Sequence, residues 1–353
     1  MEERIEVAPL RLKVALKGLA VIYGVAIVTN FLLNAWMKAA PIGPWVGEDV
    51  LKWYWFDNVV YMVLSLWWCF LFVAVGMWPF SKIENRFQRG IVATVTCWVL
   101  GWFSYKAIYW LGLDAGWAFP IVGCIYFALV FLAYTGENWL VAGFSAPRQL
   151  GILLVICLGL TWVLTMTYVR WIPPWWFPFS QMGLATGLFS YWFRKMRQPM
   201  KGISMWLLMF IAVAVWLGIS ARLGLWDYKL EGIGKFWNIG SYTPDNEWLL
   251  LFMVSCSFIY GVLVPLHNWP FTKIRMPWGG ILASVSTGVL AIIITVLIKN
   301  LVGTVFSSMN SALTYGYMAT AWSFFITLFF GVGSEEPYLW TGQKTPGTWE
   351  DVD

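Results

Sequence analysis

Tryptophan is the chemistry this chain offers in quantity: 27 Trp stand beside 15 Tyr and 25 Phe. The face of an indole ring is electronegative, so several rings around one space can hold a cation without any formal negative charge. Trp67, Trp68, Trp102 and Trp110 in the first half, and Trp237, Trp248 and Trp322 in the second, are the candidates for lining such a pocket. Several of them fall inside apolar runs, deeper than the aromatic belts that mark membrane surfaces. Packing against lipid or other helices is the competing use of the same rings. A cage of this kind suits methylated ammonium compounds, whose spread charge makes no conventional hydrogen bond. Polar groups that could complete the site are Asp57, Asn58, Gln181, Asp245 and Asn246. Asp and Asn at helix starts also serve as N-caps, and the two roles are compatible.

Other chemistries fail by inventory. There is one histidine, His267, and the five cysteines, Cys69, Cys97, Cys124, Cys157 and Cys256, form no CxxC. A bis-histidine haem or a zinc-hydrolase site cannot be assembled from these side chains. No GxSxG, HExxH, phosphate-binding or dinucleotide-binding pattern stands in a supporting context. No catalytic residue, metal or cofactor is therefore expected, and the chain is read as a non-enzyme that binds no nucleic acid. No Asp or Glu falls at the centre of an apolar run, which argues against carboxylate-based proton coupling. The deepest charge is Lys106, expected to snorkel outward along its own stem.

These residues must be positioned by membrane helices. The chain is 60% hydrophobic and 12% charged, against about 25% charged in ordinary soluble domains. Apolar runs of about 20 residues recur, the length a helix needs to cross the hydrocarbon layer. Ten transmembrane helices are predicted, near 12–36, 58–80, 89–112, 117–136, 149–170, 176–194, 202–222, 247–267, 278–299 and 312–333. Most of the 23 Lys and Arg, among them Arg11, Lys82, Arg86, Arg89, Arg148, Arg197, Lys273 and Arg275, gather on the side holding both termini. The positive-inside rule makes that side cytoplasmic.

The hexapeptide Trp78-Pro79-Phe80-Ser81-Lys82-Ile83 returns as Trp269-Pro270-Phe271-Thr272-Lys273-Ile274. Each copy closes an apolar run and precedes a short basic segment, a Gly-Ile pair and another run. Asp57-Asn58 and Asp245-Asn246 open the preceding runs. The matched helices run in the same direction, so the repeat is expected to be parallel, with helices 1–4 resembling 7–10. An inverted repeat would pair helices of opposite direction.

The resulting expectation is an all-α polytopic membrane protein built from helical hairpins. Its segments are a cytoplasmic N-terminus (1–11), a first repeat block (12–136), a central hairpin (137–201), a second block (202–333) and a cytoplasmic tail (334–353). In topology it resembles polytopic permeases with parallel internal repeats. That likeness implies a permease for a small organic solute, as a homo-oligomer or within a membrane complex, and the outer segments, without long lumenal domains, fit a prokaryotic inner membrane. The alternative is a membrane-anchoring, lipid- or quinone-binding subunit whose aromatic surfaces meet partners and lipid.

Overall fold

The structure, a computed structural model, describes residues 20, 24, 58–112, 121–122, 124–126, 128–129, 132–133, 138–167, 193, 195–222, 270–301 and 303–304. Among these residues it is all-helical, with no strand. Five helices are defined: α1 (Asn58–Ala74), α2 (Arg86–Trp110), α3 (Ala146–Thr167), α4 (Met200–Arg222) and α5 (Trp278–Asn300). Three described segments, Gln88–Ile108, Ala146–Met166 and Trp278–Asn300, are long and apolar enough to cross a membrane. The helices fall into two compact units, one with α1, α2 and α3 and the other with α4 and α5.

In the first unit α1 is the hub. Leu64, Ser65, Leu66, Trp67, Cys69, Phe70, Leu71 and Phe72 are all buried, a run that leaves no face for solvent or lipid. A helix apolar all round belongs in an interior. Its neighbours each keep an exposed apolar stripe, as Val95 and Val99 do on α2 and Val155 and Trp162 on α3.

The seam between α1 and α2 is built from small residues. A methyl group added at Gly101 would meet the Oγ of Ser65 at 2.0 Å and its Cα at 2.7 Å, so the two backbones touch here. Ala93, Cys97 and Gly101 recur at four-residue spacing on α2, opposite Ser65 and Cys69 on α1. Cys69 and Cys97 are both buried here as free thiols. Small side chains at such spacing let membrane helices approach closely enough for dense packing.

Helix α1 stops at Ala74, short of the sequence-predicted end at residue 80. The cause is local. Gly76 takes φ +67°, its N–H donates to the Val73 carbonyl, and the Met77 N–H reaches back to the Phe72 carbonyl. That is a Schellman closure, with glycine at the left-handed position. The side-chain amide of Asn138 donates to the Ala74 carbonyl and satisfies one more orphan of the helix end.

The repeated hexapeptide then folds as a single 3-10 turn, Phe80–Lys82, and its second copy does the same at Phe271–Lys273. Pro79 has φ −87° and ψ −2°, and Pro270 has φ −89° and ψ 0°. The Ile83 N–H donates to Phe80 O at 2.9 Å, and the Ile274 N–H to Phe271 O at 3.0 Å. Both phenylalanines are buried, and Phe80 meets Phe72 of α1 edge-on with ring centres 4.9 Å apart. Asn85 next starts α2 as an N-cap, its Oδ1 accepting the Gln88 N–H at 3.1 Å. The Arg89 guanidinium folds back to donate to the Ile83 carbonyl at 2.8 and 3.0 Å.

In the second unit, the start of α5 lies hard against its turn. A Cβ at Gly279 would fall 2.6 Å from Phe271 O and 2.8 Å from Ile274 O. The buried face of α5 carries only Gly279, Gly280, Ala283, Ser284, Thr287, Gly288, Ala291 and Thr295. Its other side exposes Val285, Val289, Ile293 and Leu297.

Candidate functional site

Of the candidate residues, Trp67, Trp68, Trp102 and Trp110 lie within the described residues, and Asn58 is described as the first residue of α1. Asp57, Gln181, Trp237, Asp245, Asn246, Trp248 and Trp322 lie outside them, as does His267. Trp67 and Trp68 come together because they are adjacent on α1. Their ring centres are 5.1 Å apart at 73°, an edge-to-face pair.

Both indoles are committed to packing. Trp67 is 2% exposed, and its Nε1 donates to the Ile125 carbonyl at 3.1 Å. Trp68 donates to Ser104 Oγ of α2 at 2.9 Å, and that hydroxyl donates onward to Leu100 O at 2.8 Å. A buried indole N–H needs such an acceptor. Around the pair, Phe72 lies 5.9 Å from Trp68, and Phe70 meets Tyr126 at 5.5 Å and 89°. The arrangement ties α1 to α2 and to the helical residues around 125, and it fixes the hub.

Trp102 and Trp110 are not brought to this pair. They stand on the outer face of α2, 45% and 74% exposed, with Phe103 beside Trp102 at 5.2 Å. The Lys106 ammonium sits 5.8 Å from the Trp102 ring centre and 5.3 Å from that of Tyr105. Side chains on a helix lean toward its N-terminus, so Lys106 reaches back one turn onto Trp102 instead of extending outward as the sequence suggests. A cation of the chain itself thus lies over a ring that a bound cation would need.

The sequence reading missed Ser104 as the acceptor for Trp68, and Asn138 as the cap of α1. It also missed the close approach of Ser65 and Gly101. A signal for the last was present: Ala93, Cys97 and Gly101 repeat every four residues, the spacing of one helix face. Nothing local marks Asn138, whose partner stands 64 positions away. Among the described residues no group of His, Cys, Asp or Glu could hold a metal ion.

The chain matches no protein-family profile, no curated protein and no solved structure.

Proposed function

We propose that this chain is a polytopic membrane subunit that works through its exposed aromatic faces, as an anchor and a lipid- or quinone-contacting component of a larger assembly. The observation that carries this reading is the division of the first-block tryptophans. Trp67 and Trp68 are spent on internal packing, and Trp102 and Trp110 face outward with Lys106 over the Trp102 ring. A dense hub with aromatic groups on the outside is what a scaffold requires. The matching turns at Phe80–Lys82 and Phe271–Lys273 support the parallel duplication, and with it the arrangement of ten spans in hairpins.

The test is extraction in a mild detergent at native expression level, followed by sizing and mass spectrometry of whatever travels with the chain. A stoichiometric protein companion is the expected result. A monodisperse chain free of any partner would sink the assembly reading.

One observation favours a second reading, a permease for a small organic solute such as a methylated amine. Thr295, 3% exposed on the small-residue face of α5, has a hydroxyl without a hydrogen-bond partner. An unsatisfied buried hydroxyl is unfavourable, and a passing polar solute could meet it. The binding residues would then come from Trp237, Trp248, Trp322, Asp245, Asn246 and Gln181. Uptake of labelled trimethylamine and glycine betaine by vesicles decides: accumulation that falls on Trp322→Leu supports the permease, and no accumulation of either compound removes it.

A further inference from the structure

We propose that the outer face of α2 near its C-terminal end binds an anionic phospholipid, with Lys106 as the phosphate contact. The proposal rests on the membrane reading above and names the lipid class that this face selects. Exposed residues recur along α2 at Val92, Val95, Val99, Trp102, Phe103 and Trp110, one helical stripe some five turns long. The stripe is aliphatic for about its first two turns, Val92 to Val99, and aromatic from Trp102 onward. That gradient follows a phospholipid from acyl chains to glycerol backbone, where amphipathic rings settle.

Lys106 is half-buried at the edge of the aromatic part, and its stem lies along the rings. Among the described residues it pairs with no carboxylate, and two ring faces are its partners. Ring faces stabilise an ammonium less than a full negative charge does. Lys106 lies about 6 Å from Trp110 along the axis, within the reach of its own side chain, so rotation carries the ammonium from Trp102 to the headgroup level. There it meets a lipid phosphate while the aliphatic stripe takes the acyl chains. Charge complementarity therefore selects an anionic lipid over a zwitterionic one.

The test places a photo-crosslinking benzoylphenylalanine at position 103, an exposed aromatic site, in the otherwise native full chain. The protein is reconstituted in nanodiscs of equal phosphatidylglycerol and phosphatidylcholine, irradiated, and its lipid adducts are weighed. Phosphatidylglycerol adducts should exceed phosphatidylcholine adducts by about fivefold, the preference expected for one basic residue at an anionic surface. Lys106→Met should bring the ratio close to one, and Lys106→Arg should keep it. Equal adducts with Lys106 in place, or an unchanged preference in Lys106→Met, would overturn the proposal while leaving the membrane reading intact. An adduct to a protein chain would overturn it too, by showing that a helix covers this face. Resistance of the same preparation to alkaline carbonate extraction tests the membrane reading separately.

Discussion

Gly101 and Ser65 give the sharpest residue-scale expectation, because their backbones are in contact and neither side can yield. Gly101→Ala places a methyl group inside the Ser65 backbone, so α1 and α2 must separate. Overpacking of this kind costs about 1–3 kcal/mol, and more where backbone must move. Gly159→Ala on α3 is the control, since nothing lies within 4 Å of the added methyl group there. Thermal unfolding in detergent should show a clear loss for Gly101→Ala and none for Gly159→Ala. Equal midpoints for the two would mean that the seam is looser than described. Ser104→Ala belongs to the same scale. It strips the Trp68 N–H of its acceptor and should cost about 1–3 kcal/mol, the penalty of a polar group left unsatisfied in the interior.

At the scale of the element, the connection between α1 and α2 is specified by a few local devices. Gly76 holds a left-handed φ that closes α1, and Asn85 caps α2. Gly76→Ala should destabilise by about 1 kcal/mol through backbone strain alone, because open space surrounds the position. Asn85→Ala should cost about as much by removing the cap, and Asn85→Asp or Asn85→Ser should restore most of it. Measured unfolding midpoints rank these variants. A Gly76→Ala protein as stable as its parent would contradict the Schellman closure. Turn and caps were partly legible beforehand: the repeated Pro-Phe-Ser/Thr-Lys-Ile segment marks the connection. The early stop of α1 was not read, because apolarity continues unbroken from Leu71 through Trp78 and hydropathy follows composition, whereas the helix ends where glycine changes the backbone.

For the whole molecule, the arrangement of charge makes the orientation testable. In a variant without native cysteines, a single Cys at position 345 should react with an impermeant reagent only after lysis, and one at 233 should react in intact cells. The opposite labelling would invert the topology. Duplication makes a second demand on the molecule. If the hub role of α1 is repeated, polar substitution in the apolar run 247–267 should impair accumulation as strongly as substitution at Leu71, and far more than at exposed Val155. Accumulation in membranes, followed by immunoblot, measures this.

Composition alone determined the helical character of the described segments, three of them long and apolar enough to cross a membrane, since an apolar run of that length satisfies its backbone in hydrocarbon only as a helix. Sequence also placed the starts of α2, α4 and α5 within a few residues, because the basic turns and their Gly-Ile boundaries are local features. Which indoles meet was decided by tertiary structure. Trp67, Trp68 and Trp102 sit in similar apolar surroundings along the chain, yet two are locked into the hub and the third lies outside under Lys106. Periodicity assigns residues to faces of a helix but does not say which face meets a neighbour. That choice came from Gly101, whose missing side chain lets α2 close on Ser65 and thereby turns Trp102 away from the core.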